Sequence, residues 1–170
     1  TLEECLGVKI VCNKNGSITM TQQHLIDSII KDLHIANAKP TATPAKPHEI
    51  LMRHLSAAPF DNSFNYRSVL GKMSYVANCT RPDISYIVHQ CARFGTDPKA
   101  PHGAAMRYLG RYLCGNNDKG VTFTPDHTKG IEVHVDADFA GNWDATEAHN
   151  PDTVRSRHGC VISYAGCPLV

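Results

Sequence analysis

Two stripes of apolar residues at helical spacing occupy the middle of the chain. Tyr66, Val69, Leu70, Met73, Val76 and Ala77 form the first, and Ile84, Ile87, Val88, Cys91 and Phe94 the second. Intervals of three and four residues place each set on one side of an α-helix, the side that packs inward. Between them, Thr80-Arg81-Pro82-Asp83 combines a candidate cap, a proline suited to a first turn and an acid near the positive end of a helix dipole. The pattern predicts a helical hairpin with a sharp corner.

Upstream, Leu6–Cys12 and Ser17–Met20 form a β-hairpin pattern, turned at Asn15-Gly16, residues that tolerate positive φ. A helix follows from about Thr21, with Leu25, Ile26, Ile29, Ile30 and Leu33 as its buried stripe. Pro40, Pro44, Pro47 and Pro59 then punctuate a polar stretch, so residues 37–62 are expected to be irregular connection. Asp97-Pro98 and Pro101 break the chain before a fourth helix, His102–Cys114, closed by Gly115-Asn116. After that the period changes to two. Val121-Thr122-Phe123 is a short strand, and Ile131, Val133 and Val135 alternate with Glu132 and His134 as a half-buried strand does. Residues 142–153 are polar and acidic, a loop. Cys160–Tyr164 is a further strand, with Ala165-Gly166 turning into one that begins at Leu169. The expected class is α+β: a β-hairpin, a helical body, then the strands of a sheet.

Composition narrows the field. Of 170 residues 42% are hydrophobic, enough for globular folding. No apolar run reaches membrane-spanning length and no basic-then-apolar leader opens the chain, so an intracellular setting without a membrane partner is expected. Seven cysteines, an odd number without a CxxC pair, argue against a disulfide framework and a zinc ribbon, and Cys91 falls on an apolar stripe as a small hydrophobe. No G-x-S-x-G or P-loop is present. Net charge is only +1, but its distribution is uneven. Residues 66–115 hold seven Lys or Arg against Asp83 and Asp97, whereas residues 131–152 hold six acids and no Lys or Arg. A basic helical body beside an acidic segment suits phosphate tracking and divalent-metal chemistry, although solvated helix faces alone also produce such counts.

The wording of the hairpin is more specific than its periodicity. Tyr66, Arg67, Gly71, Tyr75, Ala77, Thr80, Arg81, Pro82, Asp83, Ile84, Tyr86, Arg93 and Phe94 fill, in order, a pattern that resembles the stretch after the polymerase core in copia-type retrotransposon Pol polyproteins. Leu6-Gly7-Val8, the set His102, Ala105, Arg111, Tyr112, Leu113 and Gly115, and Asp136-Ala137-Asp138-Phe139-Ala140-Gly141 resemble three further segments of that family. The resemblance implies three parts: the end of a reverse transcriptase palm at 1–20, a thumb-like helical region and connection at 21–127, and the start of a ribonuclease H-like mixed sheet at 128–170.

It also implies chemistry. Asp136 matches the family's first ribonuclease H carboxylate, a ligand of Mg²⁺ in the parent enzyme. Two-metal hydrolysis needs several carboxylates converging on cations roughly 3.5–4 Å apart. The family's other acids are expected beyond Val170 and its polymerase aspartates before Thr1. One ligand cannot organise two metals, so the chain alone is expected neither to polymerise nor to cleave hybrids, and to hold no tightly bound cofactor. The implied partners are an RNA–DNA hybrid or template–primer duplex and the remainder of the polyprotein, in a cytoplasmic virus-like particle. Arg67, Lys72, Arg93, Arg107 and Arg111 are the candidate phosphate contacts, and Tyr66, Gly71, Arg81, Pro82 and Asp83 the structural motif. Arg81 reads as architectural, pairing with Asp83 or donating to backbone carbonyls. Tyr75, Tyr86 and Tyr112 are expected to pack against the core rather than to stack on bases.

Several positions depart from the family. Phe139 and Gly103 stand where it usually has Trp, Gly110 where it has Leu, and Arg157-His158-Gly159 near its T-S-G. An interior glycine costs on the order of 1 kcal/mol relative to alanine. Three readings result: a polyprotein fragment inactive alone, a non-catalytic nucleic-acid-binding module, or an inert relic. A sheet reduced to its early strands leaves an open edge and an uncovered apolar face, so residues beyond about Gly130 are expected to be the least stable.

Overall fold

The computed structural model describes residues 3–47, 49–53, 56–141, 143, 145, 148–149, 154 and 156–169. It divides into two compact units, Thr1–Val11 with Thr19–Val121 and Cys12–Ile18 with Thr122–Val170. The architecture is mixed α and β, with four α-helices and two sheets among the described residues.

The first unit is built on four helices, α1 (Gln23–Asp32), α2 (Tyr66–Cys79), α3 (Ser85–Ala92) and α4 (Ala100–Cys114). Helix α1 packs on α2 and α4, and α3 packs on the same two. The stripes expected from periodicity meet there: Ile26 and Ile29 from α1 with Leu33 just after it, Val69, Met73 and Val76 from α2, and Met106, Leu109 and Leu113 from α4 have no exposed surface. Ile84, Ile87, Val88, Cys91 and Phe94 close the core from the other side of the corner. Burial pushes the Cys91 thiol up to about 12, so it packs as an inert apolar group. All seven cysteines are free. The irregular connection also contributes, since Leu51, Phe60 and Phe64 enter the same core and Phe60, Phe64 and Tyr66 cluster with ring centroids 4.8–6.2 Å apart.

Two glycines that depart from the family pattern are packing positions here. A Cβ on Gly103 would lie 2.5 Å from the Phe60 ring, and one on Gly110 would lie 2.5 Å from Leu33 Cδ1 and 2.6 Å from Ile35 Cδ1. The volume of a missing side chain is thus taken up by neighbours, and Gly110 leaves no void. Gly71 differs: it sits on the exposed side of α2 with nothing near a built Cβ, so packing does not account for it.

Strands β1 (Glu4–Cys5), β2 (Val8–Cys12), β3 (Ile18–Thr21) and β4 (Val121–Phe123) form a sheet in that order. Here the structure corrects the expected hairpin, which was to begin at Leu6. Leu6 and Gly7, with φ of 51° and 75°, form a two-residue turn that pairs Cys5 with Val8, so a short strand precedes the expected one. In the loop between β2 and β3, Gly16 has φ of 83° and the Asn15 carboxamide oxygen accepts from the Ser17 N–H and hydroxyl.

The second unit carries an antiparallel meander, β5 (Ile131–Asp138), β6 (Arg157–Tyr164) and β7 (Cys167–Pro168). All three strands differ from expectation in extent: β5 and β6 are longer, and β7 starts at Cys167 because Ala165-Gly166, φ 51° and 72°, makes another two-residue turn. Cross-strand pairs put Ile131 with Tyr164, Val133 with Ile162 and Val135 with Cys160 on one face. Alternation correctly groups these residues, yet Ile131, Val133 and Val135 are 73%, 57% and 78% exposed rather than half-buried. Periodicity defines a face; what covers it is a separate matter.

Candidate nucleic-acid interface

Helix α4 is fixed at its start by His102. The Lys99 backbone N–H donates to His102 Nδ1 at 2.9 Å, which leaves the proton on Nε2 for the Met52 carbonyl at 2.7 Å. The buried ring also stacks on Phe94, centroids 4.0 Å apart and nearly parallel. From this anchored end, Ala100, Ala104, Arg107, Tyr108 and Arg111 follow one another along a helical stripe facing a groove of about 590 Å³. Ala58, Pro59 and Phe60 form its opposite side, and Lys46 and Asp61 stand at the rim.

Each of the two arginines lies near an aromatic ring and is held by one hydrogen bond. Arg107 lies over the Phe64 ring at 5.3 Å and donates Nη2 to the Ser63 hydroxyl at 2.8 Å. Arg111 lies over Tyr108 at 6.0 Å and donates Nε to the Lys39 carbonyl at 2.6 Å. Among the described residues neither forms an ion pair, whereas Lys46 pairs with Glu49, Lys72 with Asp32 and Lys99 with Asp97. Ser63 also donates its hydroxyl and backbone N–H to Asp61; those bonds, with the Arg107 charge, hold that carboxyl below its usual value. Like charges four residues apart on a helix repel. The arrangement gains little for folding and leaves guanidinium donors facing an open groove.

The other expected phosphate contacts are more occupied. Lys72 Nζ is 2.7 Å from Asp32 and 2.8 Å from the Ser28 hydroxyl, linking α2 to α1. Arg67 donates Nε to the Gly95 carbonyl at 2.9 Å, and Arg93 donates to Gln90 Oε1 at 2.8 Å with its guanidinium 5.2 Å from the Phe94 ring. The structure thus brings Arg107 and Arg111 together in one groove and gives Lys72 an architectural partner.

At the corner, Pro82 opens a 3₁₀ turn, Pro82–Ile84, ahead of α3. Thr80 is not its cap: the threonine ends α2, and its buried hydroxyl donates to Gln22 Oε1 at 2.9 Å. Arg81 donates to both Asp83 oxygens and, through Nη1, to the Asn116 carbonyl at 2.7 Å. Tyr112 adds a hydroxyl bond to Asp83 at 2.8 Å. The tyrosines are less uniform than core packing would make them: Tyr66 is buried and donates to the Cys91 carbonyl, Tyr75 reaches the Leu6 carbonyl at 38% exposure, and Tyr86 is 52% exposed.

Asp136 was expected at a strand end. It lies inside β5, exposed and opposite Gly159, because pairing with β6 continues to Asp138 and Arg157. Asp136 and Asp138 share one face by alternation. Among the described residues no three His, Cys, Asp or Glu side chains gather as a metal group. The residues described therefore do not form a Mg²⁺ site; Asp144, Glu147 and Asp152 lie outside them. Nor, among the described residues, is any helix long and apolar enough to cross a membrane.

Lys46, Phe60, Ser63 and Tyr108 were not singled out from sequence. The Arg107–Arg111 interval was visible, but Lys46 and residues 58–61 reach the groove from stretches outside any helix, whose path no periodicity encodes.

No family model and no solved structure matches the chain. Curated relatives do. The "Retrovirus-related Pol polyprotein from transposon TNT 1-94" of Nicotiana tabacum is 30% identical over 96% of this chain and 12% of its own length. The corresponding polyprotein from transposon RE1 of Arabidopsis thaliana is 31% identical over 74% of this chain and 8% of its own. The "Putative transposon Ty5-1 protein" of Saccharomyces cerevisiae is 29% identical over 99% of this chain and 52% of its own. The chain thus spans a small part of the plant polyproteins and about half of the yeast protein. With identities of 29–31% over 74–99% of its length, the chain belongs to the family of retrovirus-related Pol polyproteins of copia-type transposons.

Proposed function

We propose that this chain is a substrate-handling piece of a retrotransposon polyprotein, binding the phosphates of an RNA–DNA template–primer duplex through its helical unit. Reverse transcriptase thumb and early ribonuclease H sheet are the parts that the resemblance implies. Alone, the chain catalyses neither polymerisation nor hybrid cleavage. Mg²⁺ would serve the parent enzyme, with Asp136 as one carboxylate among others supplied elsewhere in the polyprotein.

The observation that carries this reading is the pair Arg107 and Arg111, each set over an aromatic ring beside an open groove and, among the described residues, in no ion pair. Guanidinium forks match phosphate geometry, and cations held without carboxylates contribute through counterion release. Arg67 and Arg93 supply weaker contacts. The inert-relic reading loses support from Gly103 and Gly110, whose neighbours fill the space and keep the core packed.

The test is anisotropy of a labelled RNA–DNA hybrid titrated with the purified chain at low and moderate salt. Saturable binding that weakens steeply with salt is expected. Removing both arginines should reduce the slope of log K against log salt by about 2, roughly 0.9 per lost phosphate contact. A folded, monomeric chain that shows no saturable binding overturns the proposal.

A further inference from the structure

The α4 groove has a shape that duplex tracking does not need. Backbone contacts need only cations within reach of phosphates, whereas this is a concavity of about 590 Å³, within the size range of small-ligand sites. Apart from the Asp61 carboxylate and Lys46 at its rim, its lining between the arginines and the far end is apolar: Ala100 and Ala104 are exposed on the helix side and Ala58 and Pro59 on the opposite side, while Gly103 is buried under the Phe60 ring. Two guanidiniums and the half-buried ring of Tyr108 stand at one end. Arg107 uses Nη2 for Ser63, with the Asp61 carboxylate near its charge, and Arg111 uses Nε for Lys39; among the described residues Nη1 of Arg107 and both Nη groups of Arg111 have no hydrogen-bond partner and can meet an anion. The groove is therefore amphipathic, anion-binding at one end and flat and apolar over the rest.

A nucleotide has the same two halves. In a duplex, the face of a base is covered by its stacked neighbours, and only an unpaired base can lay its face on protein. We infer that the α4 groove seats one unpaired nucleotide of a single strand, its phosphate on Arg107 and Arg111 and its base over Ala100 and Ala104 beside Tyr108. The inference rests on the nucleic-acid reading above and adds to it a preference for single-stranded segments next to the duplex.

Three labelled ligands separate the possibilities by anisotropy with the full chain: a short single-stranded DNA, a strand of equal length made entirely of abasic sites, and the RNA–DNA hybrid. The first two carry the same phosphates and differ only in bases. The normal strand should bind about five-fold or more tighter than the abasic one, the lower range of base stacking on protein. Ala104→Leu, a change at an exposed position that fills the site without adding an aromatic face, should bring that ratio close to one. Ala100→Leu gives the same readout should the first variant lose helix content. Equal affinity for the two strands, with the hybrid still bound, overturns this inference and leaves the proposed function standing. A base preference that survives both variants also overturns it, since the base then sits elsewhere. Loss of binding to all three ligands removes both.

Discussion

Arg81 grips Asp83 through two parallel hydrogen bonds, Nε to Oδ1 at 2.9 Å and Nη2 to Oδ2 at 2.8 Å, with 2% of the arginine side chain exposed. The third contact, to the Asn116 carbonyl, ties the corner to the chain after α4. The residues that most closely mark the family in sequence are thus an architectural clamp, and the groove that faces solvent lies elsewhere.

Replacing that fork should be costly even when charge is kept. Arg81→Lys presents one ammonium where three bonds were made, and a lost hydrogen bond to a charged group is worth about 1.5–3 kcal/mol. Urea unfolding should show this fall at neutral pH. Acid should erase the Asp83 contribution. Burial raises the Asp83 pKa, but the bonds from Arg81 and Tyr112 outweigh it and hold the carboxyl below its ordinary value of 3.8. A carboxyl depressed by folding stabilises fully above its unfolded value and loses that contribution as pH drops through the folded one. The stability gap between wild type and Asp83→Asn should therefore be constant near pH 6 and narrow below about pH 4. A gap that widens in acid would mean the carboxylate is not the stabilising form.

Gly103 and Phe60 should be energetically coupled. Installing the family's usual tryptophan, Gly103→Trp, forces a side chain into the Phe60 ring and should cost about 1–3 kcal/mol by overpacking. Phe60→Ala alone should cost about 3–5 kcal/mol. Combined, they should cost clearly less than their sum, because one ring vacates what the other fills. Additive losses in denaturant midpoints would show that the two do not share the space.

How much of this was legible in the sequence depends on range. The helical stripes were, because burial of Val69, Met73 and Val76 follows from spacing alone. So was the Arg81–Asp83 pair, two residues apart. Its partners Tyr112 and Asn116 lie about thirty residues on, beyond what a local pattern encodes. Strand β1 was invisible, being two residues long and set by a turn with leucine at positive φ. Val133 and Val135 were grouped correctly but given the wrong burial, since alternation carries no information about the opposing layer. The groove combined both cases: Arg107 and Arg111 were apparent, Ser63 and Phe60 were not.

Gly71 should tolerate alanine, and gain by it. It lies within α2, on the exposed side, with open space where a Cβ would stand. Glycine in a helix interior is about 0.8–1.0 kcal/mol less favourable than alanine. Gly71→Ala should raise the urea midpoint accordingly, without a change in slope. A loss of stability would mean that the position carries a constraint absent from packing.

Lys72 and Arg107 provide the sharpest test of how the basic residues divide. Both lie in the helical unit, and sequence alone placed both on phosphates. In the fold, Lys72 pairs with Asp32 at 2.7 Å, so its ammonium is taken up by a carboxylate inside the helical unit rather than held for a phosphate, and removing it breaks that pair and uncovers Asp32. Arg107 faces the groove and, among the described residues, forms no ion pair, its charge acting on Asp61 only at longer range, so its loss removes a cation available to a ligand. Lys72→Ala should therefore lower stability by up to about 1 kcal/mol, the range of partly exposed pairs, while the salt slope of hybrid binding holds. Arg107→Ala should lower that slope by about 1. Parallel titrations at three or more salt concentrations measure both slopes. If Lys72→Ala flattens the slope as much as Arg107→Ala does, the Asp32 pair opens on binding and Lys72 belongs among the phosphate contacts after all.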